Sequence, residues 1–448
     1  MSNNFTSTII AQASPNGRGA LSIIRLSGRE AHQIALKVIN KKFFSKEKEL
    51  HWLFDQEQNK FDQALLLIFN APNSFTGEDI IEFCCHGSPL IVQKLIETCL
   101  HYGACMAEAG EFAQRAFLNG KMNLLQAESI MDLISAKSAK LLQMTMNGLD
   151  GSLKNQIEDL KFKLTQILGL IHGPLDFPIE SETTEIDLKQ IYKLLEETRE
   201  TIYKLLEKSR QNNIFRTGLK TVILGRPNVG KSSLLNLLLQ EERAIVSPTA
   251  GTTRDFLTEE ILIKDIPITL IDTAGLRQNA QNEIEQIGIQ KALKLAQMAD
   301  LILFIFDVSC GWTEEDQELF IALPKNTKTI ILGNKSDLKI NSADKPAENF
   351  VCISAKTTSG LENLEIALLQ SLNLNEIESD FEISLNQRQM GLFLNAFKPL
   401  EDLNPEIPIE FVSLKIEESL NYLEQILGHK FSSDKALNAI FANFCIGK

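Results

Sequence analysis

The run Gly225-Arg226-Pro227-Asn228-Val229-Gly230-Lys231-Ser232 sets two glycines, a lysine and a hydroxyl at the spacing that wraps a polyphosphate. Successive backbone N–H groups in such a loop, together with the N-terminus of the helix behind it, converge on phosphate oxygens. Lys231 would reach the β- and γ-phosphates, and the Ser232 hydroxyl would ligate Mg²⁺. Asn228, Val229, Gly230, Lys231, Ser232 and Ser233 form the phosphate-binding set. The context is right for a P-loop, because Thr221-Val222-Ile223-Leu224 reads as a buried strand and a helix begins near Ser233-Leu234-Leu235.

Further motifs follow in a fixed order. Ile268-Thr269-Leu270-Ile271 predicts a second strand, ending in Asp272-Thr273-Ala274-Gly275. There an Asp suits a carboxylate that holds Mg²⁺ through water, and a Gly can bring its N–H to a γ-phosphate. Thr329-Ile330-Ile331-Leu332-Gly333 leads into Asn334-Lys335-Ser336-Asp337. A carboxylate at Asp337 accepts two N–H bonds from the guanine edge, which adenine lacks, so the wrong base leaves buried polar groups unpaired. Val351-Cys352-Ile353 then runs into Ser354-Ala355-Lys356, whose backbone would meet the guanine carbonyl. Between the first and second motifs, Thr249-Ala250-Gly251-Thr252-Thr253-Arg254-Asp255 stands where a switch loop would close on Mg²⁺ and the γ-phosphate. The set implies GTP binding.

Hydrolysis needs a group that orients water. Ras-like enzymes use a Gln directly after the Asp-x-x-Gly motif, but this chain has Leu276 there, which forms no hydrogen bond to water. Two substitutes are visible. Asn228 offers a carboxamide oxygen near the phosphates, able to ligate a monovalent cation that supplies the positive charge of an arginine finger. Glu285 could position a water, although spacing alone favours a solvated helix carboxylate. Catalytic candidates are therefore Glu285, Asn228 and Lys231.

The elements that must hold these residues divide the chain. Its 448 residues allow several domains with ample core. The segment from Gly218 to Leu372 reads as an α/β island. Leu153, Ile157, Leu160, Leu164, Ile167 and Leu168 form one helical stripe, and Ile191, Leu194, Leu195, Ile202, Leu205 and Leu206 form another; Ile416, Leu420, Leu423 and Leu427 continue the pattern to Gly428. These are the seams of one helical bundle interrupted by the island. The first part of the chain alternates short β-like runs with turns and one helix, Leu90 to His101, and reads as α+β. Seven cysteines without metal spacing, no secretory signal and no apolar run of bilayer length point to a reducing, cytoplasmic setting. The net charge of −13 argues against a general nucleic-acid coat.

Three pieces together resemble the MnmE (TrmE) family of tRNA-modification GTPases: the P-loop, the switch Gly251 to Asp255 with Asp272-Thr273-Ala274-Gly275-Leu276-Arg277, and the terminal Cys445-Ile446-Gly447-Lys448. The loop Asn73 to Asp79, Cys85-His86-Gly87 and Ala116 to Lys121 are similar to that family's as well. The resemblance implies a multidomain fold. Residues 1–120 would be an α+β dimerisation and tetrahydrofolate-binding domain, and 121–217 the first part of an α-helical bundle. An α/β P-loop GTPase domain would be inserted at 218–372, and 373–448 would complete the bundle and carry the Cys-Ile-Gly-Lys motif.

The same resemblance implies site residues and partners. Folate contacts would be Arg25, Glu82, Lys121 and Lys448, with Arg25 and Lys121 suited to the folate carboxylates and Glu82 to the pterin N–H edge. Cys445 would lie near the folate in an open role. K⁺ would be held by Asn228, Ser247, Thr249 and Thr252, and Mg²⁺ by Ser232 and Thr253, with Glu285 orienting water. A homodimer would join an MnmG (GidA)-type protein carrying FAD and using NADH, in a heterotetramer or larger complex without a membrane. That pair would place an aminomethyl-type group, commonly carboxymethylaminomethyl, on carbon 5 of the wobble uridine of certain tRNAs. A ribosome-assembly GTPase and a non-enzymatic GTP switch are the rival readings; the first would carry a basic RNA-binding appendage, and neither flank here is basic.

Overall fold

The computed structural model describes residues 7–176, 187–240, 259–271, 293–339, 346, 349–374, 383–429, 434–442, 444 and 447. They fall into two compact units, one built from 1–134, 148–198 and 392–448, the other from 135–147 and 199–391.

The first unit holds a six-stranded sheet in the order β3-β4-β5-β2-β1-β6. Its strands are β1 (Ile9–Gln12), β2 (Leu21–Ser27), β3 (Lys48–Phe54), β4 (Lys60–Phe69), β5 (Ile80–His86) and β6 (Cys105–Met106). Side chains alternate across each strand, so each strand contributes to both faces. Ile24, Leu26, Leu66 and Phe83 meet Ile34, Ala35 and Val38 of α1 (Ala31–Val38) and Leu95 and Cys99 of α2 (Pro89–His101) in one core. On the opposite face the register sets Leu50, Leu65, Cys84 and Ile23 in one cross-strand row, with Leu50 and Leu65 exposed. Trp52 and Leu21, also exposed, lie one row further along.

Helices α3 (Glu111–Leu118), α4 (Leu124–Ser135), α5 (Ala139–Leu149), α6 (Ser152–Asp176) and α7 (Leu188–Thr217) follow. The stripe Leu153, Ile157, Leu160, Leu164 and Ile167 is buried along α6. In this unit α6 packs against the helix Ile409–Leu427, where His172 Nε2 and Ser413 Oγ lie 2.8 Å apart. That helix ends at Gly428, whose φ of +86° is a left-handed C-terminal cap.

The second unit is a doubly wound sheet in the order β12-β11-β10-β7-β9-β8. Its strands are β7 (Leu219–Leu224), β8 (Glu259–Ile263), β9 (Ile266–Leu270), β10 (Leu301–Asp307), β11 (Lys328–Asn334) and β12 (Phe350–Cys352). All neighbours pair in parallel except the β8–β9 hairpin. Its two-residue turn, Lys264-Asp265, takes φ +49° and +63°, as the twist of a tight hairpin demands. β10 is apolar at every position before its terminal Asp because a central parallel strand is covered on both sides. Leu301, Leu303 and Ile305 pack on one side with Leu234 and Leu235 of α8 (Lys231–Gln240), and Ile302, Phe304 and Phe306 on the other with Leu295 and Ala296. Each such side chain contributes about 1.5–3 kcal/mol by leaving water. The fold therefore fixes the strand ends, where an α/β sheet of this kind binds its ligand. No helix among the described residues is long and apolar enough to cross a membrane.

Candidate functional site

The P-loop leaves β7 and enters α8 across the end of β10. At Gly225 φ is +152°, and a Cβ would lie 2.1 Å from the Ile305 carbonyl oxygen, so the loop passes too close to β10 for any side chain. Gly230 has φ +102°, and a Cβ there would sit 2.2 Å from Asn334 Nδ2. Asn228 takes a left-handed φ of +64°, a conformation that Asn tolerates. Val229 is buried beneath the loop. Leu234 N donates to Gly230 O at 2.9 Å, so α8 starts where the glycine turn ends. Ser232 is half-buried in the first helical turn and Ser233 is exposed.

Lys231 crosses the mouth of the loop. Its Nζ donates to Gly225 O at 2.9 Å and to Arg226 O at 2.7 Å. Among the described residues its hydrogen-bond partners are thus neutral carbonyls, and burial lowers its pKa to about 8. A largely desolvated ammonium that meets only carbonyls among the described residues, beside the N-terminus of α8, fits a polyphosphate. Outside this cradle, Arg226 Nε pairs with Asp316 Oδ1 at 2.7 Å and Arg226 Nη1 with Glu315 Oε2 at 3.3 Å. The fully buried Asp316 also closes the capping box with Thr313 at the start of α9 (Glu314–Ile321).

The base-reading motifs lie at the ends of β11 and β12 and are joined to the P-loop by one side chain. Asn334 Nδ2 donates to Val229 O at 2.8 Å, and its Oδ1 accepts from Ala355 N at 3.0 Å. Ser354 Oγ donates to Asp337 Oδ1 at 2.6 Å, and this bond is the main cause that holds the Asp337 carboxyl below its usual range. Asp337 is therefore an ionised acceptor. The exposed Lys356 adds a favourable field at that carboxylate. Lys335, in a left-handed backbone conformation with φ +63°, places Nζ 2.6 Å from Asp307 Oδ2. The structure thus brings together Asn228, Val229, Gly230, Lys231, Ser232, Asn334, Lys335, Asp337, Ser354, Ala355 and Lys356. The expectations for Ser247, Thr249, Thr252, Thr253, Asp272, Thr273, Ala274, Gly275, Leu276 and Glu285 fall on residues outside those described.

A second constellation lies in the first unit. Register pairs Arg25 with Glu82, and Arg25 Nε donates to Glu82 Oε1 at 2.8 Å. The guanidinium also lies 5.3 Å from the Phe75 ring and donates from Nη1 to Gly447 O at 3.4 Å. The Asn73–Asp79 loop is held by Ser27 Oγ at 2.8 Å from Thr76 Oγ1 and by Asn119 Nδ2 donating to Thr76 O at 2.8 Å. Lys121 packs across Gly77, where a Cβ would come within 3.1 Å of its Cγ. The two charges of Arg25 and Glu82 thus neutralise each other, and Arg25 orients the Glu82 carboxylate. Cys445 and Lys448 lie outside the described residues.

Sequence reasoning passed over Asp307, Asp316 and the carbonyl partners of Lys231. The signal for Asp307 was present, since it is the sole charge ending an otherwise apolar strand whose neighbours carry the other motifs. Asp316 could have been found as the closing residue of a Thr-x-x-Asp cap.

The model of the MnmE helical domain matches residues 124–445, and that of the GTP-binding protein TrmE N-terminus matches residues 8–121. The tRNA modification GTPase MnmE of Thermotoga petrophila is 39% identical over 454 residues, covering 98% of this chain and 100% of that protein. Its counterpart in Prochlorococcus marinus is 39% identical over 449 residues, covering 98% and 97%. Among solved structures, the G domain of the T. maritima FeoB iron transporter is 26% identical, covers 34% of this chain and 98% of that one, and has a TM-score of 0.25. With both family models and full-length relatives matched, this chain belongs to the MnmE family of tRNA modification GTPases.

Proposed function

We propose that this chain hydrolyses GTP and, with an FAD-dependent MnmG-type partner, adds an aminomethyl-type group such as carboxymethylaminomethyl to carbon 5 of the wobble uridine of certain tRNAs. The observation that carries the GTPase reading is the Asn334 bridge. It ties a phosphate cradle with no room for a Cβ to a carboxylate kept ionised for a guanine edge.

The guanine N1–H and N2–H donate to Asp337, while Asn334 holds the loop of Ser354 to Lys356 in register with the P-loop. The N–H groups from Asn228 to Ser233 and the Lys231 ammonium take the phosphate charge. Ser232 and Thr253 would hold Mg²⁺, and Asn228, Ser247, Thr249 and Thr252 would hold K⁺. Bound there, these cations supply positive charge against the negative charge that builds between the β- and γ-phosphates. Glu285 orients a water whose oxygen forms a bond to the γ-phosphorus. The bond from that phosphorus to the β–γ bridging oxygen breaks, GDP leaves with the electron pair, and a proton of the water passes to a phosphate oxygen of the released inorganic phosphate. Leu276 in place of the Ras-type Gln leaves the water to another group, and the resemblance to the MnmE family is what points to Glu285.

The one-carbon unit would come from a tetrahydrofolate bound by Arg25, Glu82, Lys121 and Lys448. The cluster around Arg25 supports this, because it holds two paired charges, an aromatic ring and the Gly447 carbonyl in one place. FAD and NADH would belong to the partner. The exposed apolar row on the sheet, Leu50 and Leu65 beside Trp52 and Leu21, supports a homodimer through the N-terminal domain.

The test is mass spectrometry of tRNA nucleosides from cells with and without the protein. Loss of position-5 aminomethyl-type uridines, restored by wild type but not by Asp272→Ala, is the expected result. An unchanged nucleoside profile with accumulating ribosomal subunits would move the chain to the assembly-factor class.

A further inference from the structure

Asp307 is outside every motif that reads nucleotide, yet both of its carboxylate oxygens are committed. Oδ1 accepts from Ser309 N at 2.9 Å and from Ser309 Oγ at 2.6 Å, which fixes the plane of the carboxylate by a turn closed on its own strand end. Oδ2 is the partner of Lys335 Nζ at 2.6 Å. Burial works against the charge, but Lys335 and the two Ser309 bonds outweigh it and hold the Asp307 carboxyl below its ordinary range. The residue is only 6% exposed.

Its place follows from register. β10 and β11 run parallel with Asp307 opposite Asn334, and Val308 N donates to Asn334 O at 3.0 Å. Asp307 thus stands one residue from Lys335 across the strand pair. Lys335 itself lies between two residues that are already fixed: Asn334, bonded to the P-loop and to Ala355, and Asp337, bonded to Ser354. The base read by Asp337 must therefore lie beside the Lys335 side chain. A lysine stem has much rotamer freedom, and leaving it free would make ligand binding bear the cost of ordering it. Anchoring the ammonium at Asp307 orders the four-carbon stem beforehand. An apolar stem with a neutralised head suits the flat face of a purine, and the edge is left to Asp337.

We propose that Asp307 is a positioning residue for guanine-nucleotide binding, acting through Lys335 to build the platform on which the base lies. The proposal rests on the GTP reading above and adds to it a residue and a division of labour, with Asp337 choosing the base and the Asp307–Lys335 pair retaining it. The two roles separate by experiment. Release of fluorescent GDP from the full chain is followed by stopped flow, with equilibrium titrations of GTP and inosine triphosphate.

Asp307→Asn should release GDP about tenfold faster. It should weaken GTP and inosine triphosphate by the same factor, since the edge contacts are untouched. In a Lys335→Met background the same substitution should change release by less than about twofold, because its effect passes through that ammonium. Ser309→Ala, which keeps both charges and unpins the carboxylate, should give a smaller loss of about threefold that also vanishes with Lys335→Met. This milder cycle carries the test if Asp307→Asn does not fold. Wild-type release from Asp307→Asn, or an equal loss in both backgrounds, overturns the proposal alone. A wild-type chain that binds no guanine nucleotide overturns the GTP reading and this inference with it.

Discussion

Replacing Gly230 with alanine puts a methyl carbon 2.2 Å from Asn334 Nδ2, well inside contact distance, at a residue whose φ is +102°. The backbone term is about 1–2 kcal/mol, the cost of holding a Cβ in a left-handed region. The clash adds a second term, because Asn334 cannot retreat without loosening its bonds to Val229 O at 2.8 Å and Ala355 N at 3.0 Å. Each of these hydrogen bonds, one buried and one part-buried, is worth about 1 kcal/mol. The total is roughly 2–4 kcal/mol, shared between folding and nucleotide binding. Thermal unfolding followed by circular dichroism should show a midpoint about 4–10 °C lower, and GDP titration should show affinity reduced about tenfold or more. A double-mutant cycle isolates the mechanism. If the methyl acts by displacing the carboxamide, Gly230→Ala in an Asn334→Ala background should cost only the backbone term. Full additivity of the two losses, or wild-type affinity in Gly230→Ala, would refute the coupling of phosphate loop to base loop through Asn334.

Other consequences can be measured on the same protein. Asp337→Asn should lose GTP affinity by roughly 10³–10⁴-fold and gain xanthosine triphosphate, whose ring carbonyl accepts from the new amide; competition titration with retained GTP preference would sink the edge-reading role. Lys231, with a pKa of about 8, binds phosphate as the ammonium, so bound nucleotide raises that pKa and GDP affinity should fall as pH climbs above about 8, by up to tenfold per unit. The ligand-free chain should show the opposite trend from this group. Its pKa is near 8 folded against an ordinary 10.5, so the unfolded state binds more protons between those values and stability rises across that window. A GDP affinity flat from pH 7 to 10 would contradict the first trend. Glu285→Ala should keep GTP binding and lose most turnover in a phosphate-release assay, and equal turnover would leave Glu285 a solvated helix carboxylate.

The parts legible in the sequence were those whose constraint is local. A P-loop works by aiming consecutive N–H groups, so its glycines, lysine and serine must stand within a few positions of one another, flanked by a strand and a helix. Asn334 to Asp337 and Ser354 to Lys356 were legible for a related reason, since each is a short turn at the end of an apolar run. The helical stripes along 153–168 and 191–206 announced their inward faces by spacing; most of their residues are buried, with Leu168, Leu194 and Leu205 half-buried at the margins. Short or edge-lying elements were less visible: β6 has two residues and α1 and α3 eight each, too few turns or alternations to stand out, and β3 lies at the sheet edge.

Tertiary structure decided which of these local pieces touch. Asn334 meets Val229 across 105 positions, Arg226 meets Asp316 across 90, and Arg25 meets Glu82 across 57. Each contact depends on strand register or on the close approach of one loop to another, and a one-residue slip would turn the same side chains to the opposite face. Lys231 shows the limit most plainly. The residue type already implied phosphate, but its lowered pKa arises from burial against two carbonyls, and burial is a property of the packed sheet and helix around it.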